Sequence, residues 1–233
     1  MDIKGLVFPR RCPICDGVLP FSGEKICIDC RGELEYIREP RCKKCGKQLA
    51  KEEQEYCFDC GNKKHLFKTG IACFVHKGKV RESVYRLKYN MRPEYADFFA
   101  DEIVRRYERI IRQWDADGIV PVPLHRKKKL KRGYNQAEVI ARQLGKRLGI
   151  KVYSDVLIRV KNTVPQKELD DNGRRKNLEN AFKIKRNIIK LKKIILVDDI
   201  YTTGSTVDAC TKIMTLGGVK EVYVICITAG KDK

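Results

Sequence analysis

Two adjacent carboxylates, followed within a few residues by hydroxyls around a glycine, can grip a phosphorylated polyol. In this chain they are Asp198-Asp199 and Thr202-Thr203-Gly204-Ser205-Thr206. Backbone N–H groups at a helix start, with the positive end of the helix dipole, hold a phosphate. Gly204 lets the backbone come close, and the hydroxyls add donors. The acidic pair cannot hold that same phosphate. It must face groups that want acceptors, either sugar hydroxyls or Mg²⁺. A ribose 5-phosphate satisfies both ends.

The elements that must position this turn follow from its flanks. Ile194 to Val197 is an unbroken apolar run, suited to a strand buried on both faces of a parallel sheet. The carboxylates then fall at its carboxyl end, the edge where open α/β sheets bind ligands. Val207 to Leu216 reads as the following helix, closed by Gly217-Gly218. A Walker B strand has a similar look, but it requires a P-loop, and neither Gly-Lys-Ser nor Gly-Lys-Thr occurs in the chain. A plain strand-to-helix turn is the bland alternative, and it leaves two carboxylates and five cradle residues without a purpose.

A second constellation is metal-binding. Eight of the eleven cysteines form four CxxC pairs, Cys12/Cys15, Cys27/Cys30, Cys42/Cys45 and Cys57/Cys60, each starting fifteen residues after the last. One CxxC knuckle supplies two thiolates, and two knuckles complete a tetrahedral Cys₄ zinc site. Eight ligands mean two structural Zn²⁺ sites with no open position. Pairing of neighbouring knuckles is simplest, and an interleaved pairing stays open. Disulfides suit exported chains, and Met1 to Arg11 shows no apolar signal region. So small a module should need its metal to fold, and stripping zinc is expected to unfold residues 1–65 alone. Cys73, Cys210 and Cys226 sit in apolar contexts and read as buried hydrophobes.

The net charge is +20, from 50 Lys+Arg against 30 Asp+Glu. Such a field attracts polyanions, nucleic acid among them. A merely charge-rich surface would carry balanced signs. The excess concentrates in Arg126 to Arg132, six cations in seven residues, read as a loop after a strand at Gly118 to Leu124. A strand-end loop with cations and Gly133 suits pyrophosphate, and the surplus could track a nucleic-acid backbone. Between a strand at Val152 to Val160 and another at Phe182 to Ile184 lies a polar stretch of about twenty residues, Lys161 to Ala181. That length with little apolar content marks a functional lid. The remaining pattern gives a strand at Phe67 to Phe74, helices at Val80 to Tyr89, Glu94 to Trp114 and Ala137 to Leu148, and a last strand at Val219 to Thr228. In the first helix Val84 and Leu87 face inward and Arg81, Arg86 and Lys88 outward. Alternating strands and helices give a parallel sheet with right-handed crossovers. No apolar run approaches membrane-spanning length.

Three stretches resemble a known family. Ile195 to Thr206 resembles the phosphoribosyl pyrophosphate (PRPP) motif of type I phosphoribosyltransferases. Val120-Pro121-Val122-Pro123-Leu124, the basic run and Arg132-Gly133-Tyr134-Asn135-Gln136 resemble a signature of the ComF family of competence proteins. Thr163, Gln166, Leu169, Arg174 and Asn177 fit its T-x-x-Q-x-x-L-x(4)-R-x-x-N stretch, and Leu87-Lys88-Tyr89 resembles a further ComF segment.

The resemblance implies an α/β type I phosphoribosyltransferase fold at 66–233 behind a double zinc ribbon at 1–65. It implies PRPP with Mg²⁺ as ligand: Thr202, Thr203, Gly204, Ser205 and Thr206 on the 5-phosphate, Asp198 and Asp199 on ribose hydroxyls or Mg²⁺. It places Arg126, Lys131, Arg132, Gly133, Asn135 and Gln136 toward pyrophosphate, and Thr163, Gln166, Arg174 and Asn177 in a loop that closes over the ligand. The implied role is handling single-stranded DNA in natural transformation. Helicase-like and recombination proteins would be partners, in the cytoplasm or at the inner face of the membrane. No residue stands out as a general base, so turnover is left open. The alternative is an active phosphoribosyltransferase on a nucleobase or amine without a DNA role.

Overall fold

The computed structural model describes residues 9–20, 23–161, 178, 180–185 and 190–232. Within it, a four-stranded all-parallel sheet is built from β1 (Thr69–Val75), β2 (Gly118–Pro121), β5 (Lys193–Tyr201) and β6 (Glu221–Ala229), in the order β1-β6-β5-β2. β3 (Leu157–Arg159) and β4 (Phe182–Ile184) pair antiparallel in a separate ribbon, outside that sheet. Val152 adds a single parallel bridge to Ile119 and His125 one to Arg159, so the expected long strand at 152–160 is broken into pieces.

Helices α3 (Gly78–Tyr89), α4 (Tyr95–Gln113) and α6 (Gln136–Leu148) cover one sheet face, and α7 (Ser205–Leu216) the other. Alternation along the strands sorts the core. Ile71, Ile119, Ile195, Val197, Tyr223 and Ile225 meet Phe99, Ile103, Ile111 and Leu144 on the first face. Val120, Ile194, Leu196, Val222 and Val224 meet Val207, Cys210 and Met214 on the second. Trp114 stacks on Tyr223 with centroids 4.8 Å apart, and Cys73, Cys210 and Cys226 are buried, as their contexts predict.

The cysteine-rich segment, with short helices α1 (Ile28–Arg31) and α2 (Phe58–Asn62), straddles the edge strand β1. Cys12, Ile14 and Cys30 join the core of the first face, and Cys42, Cys45 and Cys57 join that of the second. Between them the chain pairs with β1: Ile37 N–H donates to Cys73 O at 3.0 Å, and Val75 N–H to Glu35 O at 2.9 Å. Gly70 N–H donates to Lys44 O at 2.8 Å, and a Cβ on Gly46 would fall 2.8 Å from Gly70 O. On the first face Tyr95 donates to Asp16, Arg86 donates to Ile14 O, and Lys25 pairs with Asp97 at 2.7 Å.

Two departures from the sequence reading affect the site. The basic run is a helix, α5 (Arg126–Arg132). His125 caps its start by accepting from Lys127 N–H at 3.3 Å, and Gly133 ends it. These are ordinary helix punctuation, hidden by the charge of what lies between. β5 also runs on to Tyr201, so Asp198 and Asp199 lie inside the strand, paired at Asp198 with Cys226.

Candidate PRPP and zinc sites

The carboxyl ends of β2 and β5 open onto a cavity of about 700 Å³. Asp198, Asp199, Thr202, Gly204, Ser205 and Thr206 line one side, and Lys88, Lys128, Lys131, Arg132 and Arg159 line others. Gly204 stands at the cap of α7 with φ 78°, a left-handed turn that swings the first amides of the helix toward the cavity. As a glycine it puts no side-chain acceptor on those amides, which suits an anionic ligand there. Thr203 Oγ1 and Ser205 Oγ lie 3.0 Å apart, which ties the hydroxyl pair together.

The two aspartates have different environments. Asp199 is buried, and Lys88 Nζ reaches its Oδ2 at 2.8 Å. Burial opposes its ionisation, but the Lys88 and Arg132 cations outweigh that and hold its carboxyl below the usual range. Asp198 lacks this partner. Burial, then the neighbouring Asp199 charge, pushes it up to about 8. Near neutral pH the pair therefore offers one carboxylate and one carboxylic acid, a mixed set of acceptors and a donor that suits a vicinal diol.

The opposite wall is crowded with cations. Burial first, and then the nearby Arg159 and Arg132, hold Lys128 below its ordinary value, and burial does the same to Arg159. Like charges drawn together on a partly buried wall are relieved by an anion between them.

In the metal region, the Sγ atoms of Cys12, Cys15, Cys27 and Cys30 all lie within 4.8 Å of one another, as do those of Cys42, Cys45, Cys57 and Cys60. Cys15 and Cys27 are 3.7 Å apart, and Cys45 and Cys57 3.6 Å. A tetrahedral ion with Zn–S bonds of about 2.3 Å needs sulfurs about 3.8 Å apart, so both clusters fit Zn²⁺. Neighbouring knuckles pair, and the interleaved arrangement is absent.

Comparison with known proteins agrees with this geometry. Residues 3–61 match the double zinc ribbon domain family, and residues 130–233 match the phosphoribosyl transferase domain family. Competence protein F of Haemophilus influenzae is 39% identical over 110 residues, 46% of this chain and 48% of that protein. DNA utilization protein YhgH of Salmonella typhimurium is 32% identical over 147 residues, 62% of this chain and 64% of that protein. Competence protein ComFC of Streptococcus pneumoniae is 28% identical over 155 residues, 65% of this chain and 64% of that protein. The chain thus combines a double zinc ribbon with a phosphoribosyl transferase domain, and it is similar to proteins named for competence and DNA utilization. It spans about half to just under two thirds of the length of these relatives.

Of the residues the ComF signature singles out, Lys131, Arg132 and Gln136 reach the cavity wall, together with Asp198, Asp199, Thr202, Gly204, Ser205 and Thr206. Thr203 braces Ser205 beside it. Arg126 starts α5 and is exposed. Asn135 is buried: its Oδ1 accepts from Ala137 N–H at 3.2 Å as the cap of α6, and its amide donates to Val122 O at 3.0 Å. It thereby fixes the end of β2 to the start of α6, with Gly133 closing α5 just before it. Thr163, Gln166, Leu169, Arg174 and Asn177 lie outside the described residues.

Three residues at or beside the cavity were missed from sequence. Lys88, expected to face outward, folds in to Asp199 because α3 runs along the cavity. Its position in Leu87-Lys88-Tyr89 was the available signal. Arg159 enters the wall from β3, and nothing local in the sequence marks it. His65 is buried behind the Gly204 turn, with Nδ1 at 2.7 Å from Asp208 Oδ2 and Nε2 at 3.5 Å from the Tyr201 hydroxyl.

Proposed function

We propose that this chain binds PRPP with Mg²⁺ in the cavity and uses the loaded state to handle single-stranded DNA during DNA uptake. The observation that carries the reading is the polarity of the cavity: an uncapped helix start on a glycine turn, two carboxylates on the same strand, and a cation wall opposite. That order matches 5-phosphate, ribose diol and pyrophosphate along one ligand.

In this reading Thr202 to Thr206 hold the 5-phosphate. Asp199, kept ionised by Lys88, and Asp198 orient the ribose hydroxyls. The same carboxylates fit Mg²⁺, a hard ion that takes oxygen ligands, and the ion would neutralise the pyrophosphate as it leaves. Lys128, Lys131, Arg132 and Arg159 face that pyrophosphate and favour charge building up on it. The names of the relatives, competence protein F, ComFC and DNA utilization protein YhgH, support the DNA role, and so does the net charge of +20. Helicase-like and recombination proteins are the partners that fit such a role, in the cytoplasm or beside the inner membrane. Among the described residues no helix is long and apolar enough to cross a membrane.

A second reading is an active transferase onto a nucleobase or amine. Asp198 favours it: its carboxyl is pushed up to about 8, so once it ionises as pH rises toward that value it is basic enough to take a proton from an attacking acceptor. One experiment serves both readings. Mg²⁺–PRPP is titrated calorimetrically into the parent and Asp199→Ala, and pyrophosphate release is then followed with strands, bases and amines present. Binding lost in Asp199→Ala is the expected result. Equal heats in both proteins overturn the site. Acceptor-dependent release decides for turnover.

A further inference from the structure

We propose that the rim of the cavity carries a stacking platform for an unpaired nucleobase, made by Tyr85, Tyr89 and Arg132. This names a recognition site for the ligand chemistry of the reading above and rests on it only for what it would deliver to the cavity.

Tyr85 and Tyr89 are one turn apart on α3, and both are among the exposed large side chains, at 55% and 57%. Their ring centroids are 4.7 Å apart with planes at 43°. The Arg132 guanidinium stands 4.9 Å from the Tyr89 ring centroid. Arg81 precedes Tyr85 by one turn on the same exposed stripe. Met91 and Leu130, 71% and 72% exposed, lie in the segments flanking this group. Tyr89, Met91 and Arg132 also line the cavity, so the patch is continuous with it.

Aromatic rings left exposed beside a guanidinium offer a π-face and a cation together. A lone helix-surface tyrosine would need no explanation, but this is a coupled pair at a cavity mouth. A flat, aromatic ligand with negative charge nearby matches it: a base stacks on the rings, and attached phosphates meet the exposed Lys127 and Lys131 of α5. An apolar peptide would find no use for that ring of cations. The base can belong to a strand or be free, and the chemistry of the platform is the same for both.

Full-length, zinc-loaded protein is tested with a fluorescent strand of about 12 thymidines, with an abasic strand of the same length, and with free adenine in the presence of PRPP. The parent should bind the thymidine strand more tightly than the abasic one. Tyr85→Ala and Tyr89→Ala should each weaken the thymidine strand by about ten-fold and leave the abasic strand unchanged, closing the gap between them. Tyr89→Phe should retain parent affinity. Loss of adenine binding in Tyr89→Ala without loss of strand binding would also support the platform and assign it to a free base. Tyr85→Ala should bind PRPP as the parent does, so failure of PRPP binding in the parent counts against the cavity reading alone. Variants that bind strand and adenine within two-fold of the parent overturn the platform. So does a concentration-dependent dimer that the tyrosine variants dissolve while strand affinity stays constant, because it would give the patch to a second copy of the chain.

Discussion

His65 Nδ1 lies 2.7 Å from Asp208 Oδ2, which joins the end of the cysteine-rich segment to the first turn of the helix that begins after Gly204. The other oxygen of Asp208 accepts from Leu66 N–H at 2.9 Å. A Cβ on Gly204 would fall 2.5 Å from the Tyr201 hydroxyl and 2.8 Å from His65 Cε1, so the imidazole is packed directly behind the turn. The ribbon segment thus backs the turn at Gly204.

His65→Ala should therefore loosen the turn as well as the fold. A buried ring and a buried hydrogen bond are lost, at a stability cost of about 2 kcal/mol. PRPP affinity should drop by about ten-fold, a loss of about 1.4 kcal/mol in binding. Thermal unfolding and calorimetry on the same sample check both. Lower stability with unchanged PRPP affinity would confine His65 to a scaffold role.

The Lys88–Asp199 pair gives a second test. Lys88→Met leaves a buried carboxylate without its cation, and breaking such a pair costs about 3 kcal/mol. Removing both charges in Lys88→Met/Asp199→Asn should recover much of the stability while PRPP binding stays lost. Denaturant unfolding of the two single variants and the double variant closes the cycle. A double variant that is as unstable as the sum of the singles would refute the coupling.

Asp198 sets the pH dependence. Its carboxyl is pushed from the ordinary carboxylate value up to about 8, so between those limits the folded chain holds a proton that the unfolded chain has released. Its contribution is fully present at acid pH and is lost as pH rises toward 8. Asp199, held below the usual range, works in the opposite sense and at lower pH. Asp198→Asn should raise stability at pH 8 by more than about 1 kcal/mol and flatten the slope between pH 5 and 8. Parallel melts of parent and variant across that range measure it. Mg²⁺–PRPP affinity of the parent should rise over the same range as Asp198 ionises.

Zinc removal is the fourth test. From its size the ribbon would be expected to unfold by itself, but each cluster is built into a core of the sheet, one on either face. Chelation should then cost the whole chain its cooperative fold. Cys57→Ser should also depress PRPP binding more than Cys12→Ser, because the second cluster shares its core with Phe67 and Tyr201, against which His65 sits. Far-ultraviolet dichroism during chelation, with calorimetry of the two variants, separates these outcomes. A transferase region that keeps its melt after metal loss would restore the picture of two independent units.

Much of this was legible in the sequence. The Asp-Asp and Thr-Thr-Gly-Ser-Thr pattern, the repeat of CxxC and the alternation of apolar strands and helices are all local signals, and they marked a stretch that lines the cavity, the metal clusters and the parallel sheet. What escaped depends on contacts far apart in the chain. Lys88 looked like an outward lysine because its partner lies 111 residues away. Arg159 sits in a three-residue strand whose only local cue is hydrophobic, and His65 gains its meaning from Asp208. The basic run misled in another way: six cations suggested a loop facing a polyanion, while the decisive residues for its helical form were the cap and the glycine at its ends.

The backbone pairing between the cysteine-rich segment and β1 bears on how the chain fails. Without Glu35, Ile37 and Lys44, the outer side of Thr69–Val75 would be an open row of donors and acceptors on a strand that is apolar from Ile71 onward. Such an edge recruits strands from other molecules. Metal-starved protein should therefore leave solution by pairing of this exposed strand between molecules, which makes zinc supply a determinant of the soluble yield of newly made chains.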